Sequence, residues 1–194
     1  MSTDPVDRLG LALDATLQVI LSIHDDQWSL PTPCPDWTVA EVVTHLVAGT
    51  HLFAQALGAE SARAEGTALP EPGRVDASRR SAQAVLDGVR RPGALEGVVT
   101  VPLGSLPGAV ALQLRVTEIL VHGWDLARAT RQPLTIPGDL AREALIFSRA
   151  ALPAIPPDRH AFAAPQPVPD TAGALDRLAA CLGRAVIGGP WATR

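Results

Sequence analysis

The chain contains no Lys, Asn or Tyr, a single Met, and only two cysteines, Cys34 and Cys181, among 194 residues. The missing types are those whose codons are richest in A and T, a bias expected of a GC-rich bacterial genome. Two cysteines cannot build a disulfide framework, so reduced thiols are expected. With Lys absent, the sixteen basic residues are all Arg; they are scattered, and the formal net charge is -4. A nucleic-acid footprint needs clustered basic charge, so no nucleic-acid partner is expected. No apolar run approaches the roughly 18 residues that span a bilayer. The start, MSTDPVDRLG, places Asp4 and Asp7 where a signal peptide needs basic and apolar regions. These absences predict a cytoplasmic protein with no membrane partner. There is also no G-x-S-x-G elbow, P-loop or G-x-G-x-x-G, which removes local support for a nucleophilic triad or a nucleotide site.

What is present is a helical pattern. Hydrophobic residues make up 47% and charged residues 19%, close to globular averages, and no low-complexity linker or internal repeat divides residues 1–194, so one domain is expected. Apolar spacing predicts helices over 4–24, from Thr38 to about Leu57, over 76–90, 110–130 and from Pro137 to about Leu152, with a last one over 172–182. Thr38 and Glu41 form a capping-box pair at the second start. The prolines of 25–36 make a rigid connection, and 59–73 reads as a surface loop. Residues 91–108 read as an irregular crossover around the β-prone run Val98 to Val101. The proline-rich stretch of about 153–169 reads as a packed loop or lid. The expected fold is all-α: a four-helix bundle with a crossover connection and additional C-terminal helices.

The chemistry concentrates in RVTEILVHGWDLARAT, residues 115–130. Glu118 and His122 are four apart in a helix, so about 40° of rotation and about 6 Å of rise separate two metal-capable side chains on one face. Asp125 shares roughly that face, amid apolar neighbours. Burying a carboxylate there needs compensation, and a divalent cation supplies it, with carboxylate oxygen and imidazole nitrogen both good zinc ligands. His45, beside the apolar stripe of the second helix, is the best third ligand; a core-edge histidine bonded to a carbonyl is the rival reading.

PCPDWTVAEVVTHLV (33–47), RVTEILVHGWDLA (115–127) and PVPDTAGALDRLAACLGR (167–184) together resemble the DinB-like, mycothiol-dependent maleylpyruvate isomerase family of actinobacteria. The W-[ST]-V-x-[DE]-x-x-x-H-L and H-G-W-D-L-A elements carry most of that resemblance, which spans nearly the whole chain. It implies a DinB-like four-helix bundle and a divalent metal, most often zinc, on His45, Glu118 and His122. Three protein ligands leave a position open, the pattern of a catalytic zinc site. The net positive charge of such a centre favours an anionic fourth ligand such as the thiolate of mycothiol, poised to add to a small electrophile. In an isomerase the sulfur leaves again; in a transferase it stays. Isomerases of the family carry a further C-terminal domain that this sequence does not show after its last helix. A mycothiol S-transferase-like activity, or a changed substrate, is therefore expected ahead of the namesake reaction. The alternatives are a non-catalytic metal-binding or stress-response module and a metal-free helical interaction protein, each as monomer or homodimer.

The remaining candidates have plainer readings. Asp125 either hydrogen-bonds a ligating imidazole or pairs with Arg128 or nearby backbone. Arg115 is expected in a helix-surface salt bridge, with contact to an anionic substrate as the alternative. Trp37 and Trp124 read as core residues rather than substrate platforms. His51 lies about 240° around its helix from His45 and should not share its ion. His24 is expected at a helix C-terminus, and His160 on the lid. Cys34, between Pro33 and Pro35, has no evident thiolate-stabilising neighbour and reads as structural; Cys181 reads as buried.

Overall fold

The computed structural model describes residues 4–58, 73–102, 104–154 and 162–187. Its helices are α1 (Pro5–Leu21), α2 (Val39–Ala56), α3 (Arg74–Val89), α4 (Gly108–Thr130), α5 (Gly138–Ala151) and α6 (Ala174–Cys181). The expected all-α class and helix order hold, with ends shifted by a few residues. Local chemistry sets those ends. Asp4 accepts a 2.8 Å bond from the Val6 N–H and Pro5 fixes the first turn of α1. The Thr38–Glu41 capping box closes reciprocally, with Glu41 Oε2 accepting from the Thr38 N–H at 2.7 Å.

α1 packs against α3 and α4, and α2 packs against the same two helices. The cyclic order around the bundle is therefore α1, α3, α2, α4, and the connections α1–α2 and α3–α4 each cross to a diagonal position. The second crossing, expected to be irregular, is a two-stranded antiparallel hairpin of β1 (Val98–Val101) and β2 (Gly104–Pro107). Gly104 is at φ +121°, a conformation that favours glycine and lets the chain reverse. β1 supplies Val99 to the core and rests on α2 and α4. α5 and α6 pack together and against α4.

Buried residues from all six helices join one hydrophobic cluster, including Leu9, Val42, Val85, Leu120, Leu145 and Leu178. α4 is its centre. Ile119, Leu120, Val121, Trp124 and Leu126 are all within 2% of full burial, because α1, α2, α5 and α6 cover different sides of it. Close approach of α1 depends on Gly123: a Cβ there would stand 2.5 Å from Thr16 Oγ1, which donates to the Ile119 carbonyl. Among the described residues, no helix is long and apolar enough to cross a membrane.

Candidate functional site

The first wall of the site is the connection between α1 and α2. Thr32 ties it into a tight turn: its N–H and hydroxyl both donate to the Trp37 carbonyl, at 3.0 and 2.9 Å, and the Cys34 N–H donates to Thr32 Oγ1 at 3.2 Å. Asp36, at φ 66°, completes the reversal. The turn delivers Cys34 and Trp37 to the end of α2 that carries His45. Trp37 stacks on the His122 ring at 5.7 Å between centroids and leans on the His45 ring at 4.7 Å. The two imidazoles are 5.0 Å apart, edge to face. Trp37 is thus half-buried over both histidines and packs against the edge of the core, as expected of a core residue more than of an exposed platform.

His45, Glu118 and His122 line one cavity of about 250 Å³ with Cys34, Trp37, Phe162 and Arg184. Burial and the neighbouring His122 lower the His45 pKa from 6.5 to about 4, so its ring is neutral with a lone pair to offer. His122 is buried, and its Nδ1 lies 3.1 Å from Asp125 Oδ2, leaving Nε2 uncommitted. Glu118 receives a 2.9 Å contact from Arg115 Nη1 on one oxygen, which leaves the other. Two imidazoles and a half-committed carboxylate on one cavity are donor types that suit a divalent ion of the zinc type, but the group whose ligand atoms lie within 4.8 Å of one another among the described residues is a different one.

Asp125 resolves between its two readings. It pairs with His122 and with Arg184, not with Arg128: Arg184 Nε and Nη2 reach its two oxygens at 3.2 and 2.8 Å. Both side chains are buried, Asp125 completely. Burial pulls the Arg184 pKa down, but the hydrogen bonds and charge of Asp125 outweigh it and leave it raised. Arg128 instead joins Trp124 Nε1 on Asp176 Oδ1, each at 2.7 Å. A left-handed turn aims Arg184. α6 ends in a Schellman motif, with Gly183 at φ 86°, its N–H on the Ala180 carbonyl, and the Arg184 N–H on the Ala179 carbonyl at 2.9 Å.

Several expectations change here. Arg115 does bridge to Glu118, but it is 5% exposed rather than on the helix surface, because α2 comes close at Gly49. Cys34 is in the cavity and has a cationic neighbour in Arg184; burial nevertheless raises its thiol pKa, the Arg184 charge opposing only in part, so the structural-thiol reading stands. Cys34, His122 and Asp125 also bring one ligand atom each within 4.8 Å of one another. Both Asp125 oxygens are already engaged by Arg184, one of them by His122 as well, so this trio is better described as a hydrogen-bonded support than as an ion cage. Cys181 is half-buried rather than buried. His51 is buried and lines neither this cavity nor the one beside it, as expected. His24 lies beyond α1 and caps a short 3₁₀ turn at Asp25–Gln27. His160 and the middle of the 153–169 loop fall outside the described residues.

A second cavity, of about 350 Å³, adjoins the first and shares His45, Glu118, Phe162 and Leu182 with it. Its other walls are mainly apolar: Leu52 and Phe53 of α2, Val101 of β1, Leu114 of α4, and Phe147 and Leu152 at α5. The hairpin and α5 are what close it.

Comparison with known proteins follows the same elements. The sequence model of the mycothiol maleylpyruvate isomerase N-terminal domain matches residues 9–127. The uncharacterized proteins Rv0738 and MT0763, from two strains of Mycobacterium tuberculosis, are each 34% identical over 188 residues, covering 94% of this chain and 99% of theirs. Crystal structures of the mycothiol-dependent maleylpyruvate isomerase superpose with a TM-score of 0.56 at 17% identity, and of a mutant of it with 0.58 at 16%. Each match covers 75% of this chain and 70% of the other. At that identity the likeness is one of fold.

Proposed function

Since the chain belongs to the mycothiol maleylpyruvate isomerase N-terminal domain family, we propose that it is a mycothiol-dependent enzyme acting on a small electrophile. In this reading His45, Glu118 and His122 hold a divalent ion, most readily zinc. The observation that carries the proposal is that these three side chains line one cavity, with His122 bonded on its far side by Asp125, itself held by Arg184. A divalent ion bound there would lower the pKa of an incoming thiol, making the sulfur nucleophilic at neutral pH.

The chain's own residues prepare for that chemistry. Asp125 fixes the His122 ring through Nδ1, so that Nε2 is the nitrogen presented to the cavity. Arg184 neutralises the Asp125 charge and holds it still. Arg115 does the same for one Glu118 oxygen. Trp37, Phe162 and Leu182 keep the cavity apolar around the polar groups, which strengthens each electrostatic contact. The adjoining 350 Å³ cavity is positioned to take the electrophile, sharing Glu118 and His45 with the thiol side. Isomerase and transferase outcomes then differ only in whether the sulfur departs after addition.

The test combines elemental analysis of protein purified without chelator with mass spectrometry of mycothiol–electrophile reactions. The reading expects a stoichiometric divalent metal, lost in His45→Ala and His122→Ala, together with metal-dependent consumption of the electrophile. Recovered free thiol with altered substrate marks an isomerase, and a stable thioether marks a transferase. Unchanged metal content in both variants would sink the site. Normal metal content with no reaction across the electrophile panel would favour a non-catalytic module.

A further inference from the structure

The two arginines of the site are not equivalent. Arg184 spends its guanidinium on Asp125 and on the Leu182 carbonyl. Arg115 contacts Glu118 through Nη1 alone, while Nε and Nη2 are buried without a hydrogen-bond partner. Those two nitrogens form the edge of the guanidinium that grips a carboxylate with two parallel N–H···O bonds. Leaving buried donors unmade carries the full desolvation penalty of each group, so this arrangement needs a reason.

The surroundings supply one. Arg115 lines the 350 Å³ cavity, whose walls are otherwise mainly aliphatic and aromatic. The two hydroxyls of that lining are already used: Thr117 donates to the Gln113 carbonyl at 2.9 Å and Ser148 to the Ala144 carbonyl at 2.7 Å. Gly49 leaves room for the cation, since a Cβ there would stand 2.2 Å from Arg115 Nη1. Charge points the same way. Arg115 and Arg184 balance Glu118 and Asp125, so a divalent ion would bring positive charge that one thiolate only half neutralises.

We propose that the Nε–Nη2 edge of Arg115 and the apolar cavity beside it form a binding site for a monocarboxylate with an apolar body, such as a medium-chain or aryl acid. The carboxylate meets the unpartnered Nε–Nη2 edge once the buried guanidinium turns it toward the cavity, and the hydrocarbon part packs against Leu52, Phe53, Leu114 and Phe147. In the metal-free protein a second anionic group would meet the Glu118 carboxylate or hydrocarbon, so a compact dicarboxylate fits poorly. This rests on the mycothiol-enzyme reading in one respect only: the acid would be the electrophile, or part of it, that the thiol meets.

Binding can be measured without the thiol reaction. Full-length protein, stripped of metal and separately loaded with zinc, is titrated calorimetrically with octanoate, octanamide and succinate, and the arginine Nε–H signals of ¹⁵N-labelled protein are followed by NMR. The expected result is octanoate binding at least about tenfold tighter than octanamide in both metal states, with a shift of the Arg115 Nε–H resonance and weak succinate binding by the metal-free protein. Arg115→Met should abolish the preference for acid over amide, and Ala151→Phe, which narrows the cavity without touching the cation, should weaken both ligands. Equal binding of acid and amide by the wild type overturns the proposal, and that comparison needs no variant to fold. Acid binding that requires zinc, or an acid preference that survives Arg115→Met, places the carboxylate elsewhere and overturns it too. Loss of thiol chemistry with acid binding intact would count against the enzyme reading alone; thiol chemistry without acid preference would count against this one alone.

Discussion

Replacing Arg184 with Met removes the cation that neutralises Asp125 while keeping similar side-chain volume. Asp125 has no exposed surface and takes two of its three hydrogen bonds from Arg184. Stripping one partner from a buried ion pair leaves an uncompensated charge in a low-dielectric interior, worth about 3–5 kcal/mol. Against a total stability of roughly 5–15 kcal/mol for a domain, that is a large fraction. Removing both charges should hurt less. Asp125→Leu with Arg184→Met takes away the stranded carboxylate, so the double variant should recover at least about 2 kcal/mol relative to the sum of the singles. Urea unfolding of metal-free protein, followed by tryptophan fluorescence, gives all four corners of the cycle. A cost below about 1 kcal/mol for Arg184→Met, or additive behaviour of the pair, would refute the claim that this buried bridge holds α6 to α4.

Other outcomes follow from the same geometry. Asp125→Asn should lower zinc affinity by about 10–100-fold in a chelator competition, because His122 loses its charged anchor. Folded His45 stays neutral to about pH 4, whereas its unfolded counterpart takes a proton near 6.5. The unfolded state thus binds more protons across that window, and metal-free protein should lose up to roughly 2–3 kcal/mol as pH falls through it; His45→Gln should flatten that slope in urea melts at successive pH values. Gly49→Ala gains about 1 kcal/mol of helix propensity but drives a Cβ to 2.2 Å from Arg115 Nη1. A net loss of about 1–2 kcal/mol in thermal or urea unfolding is expected, relieved when Arg115→Met is added. Thr38→Ala should cost about 1 kcal/mol through loss of the α2 capping box, measurable by the same unfolding assay.

The helices were readable because their signals are local. Periodicity marked α1, α2 and α4, and Thr38 with Glu41 marked a start to the residue. The short strand β2 was missed, since Gly104–Pro107 has no alternating pattern and forms only because Val98–Val101 lies opposite. In the site, His45, Glu118 and His122 could be singled out by spacing and resemblance. Arg184 could not, because its role depends on the left-handed turn at Gly183 and on a partner 59 positions away. The D-x-x-x-x-x-x-G-R run from Asp176 to Arg184 holds a hint, a helix stop followed by a cation. Burial of Arg115 was likewise invisible: a salt bridge three residues apart reads as a surface pair until Gly49 on another helix is seen against it. The H-G-W-D-L-A element, by contrast, now has a physical account. His122 faces the cavity, Gly123 admits α1, Trp124 reaches Asp176 and Asp125 holds Arg184.

Trp37 contacts both imidazoles at once from the turn that connects α1 to α2. Both rings therefore meet the cavity under one indole, and the turn that carries it is tied by the Thr32 hydrogen bonds rather than by either helix. The same indole is a built-in reporter: its emission should change with occupancy of the cavity before any helix has moved.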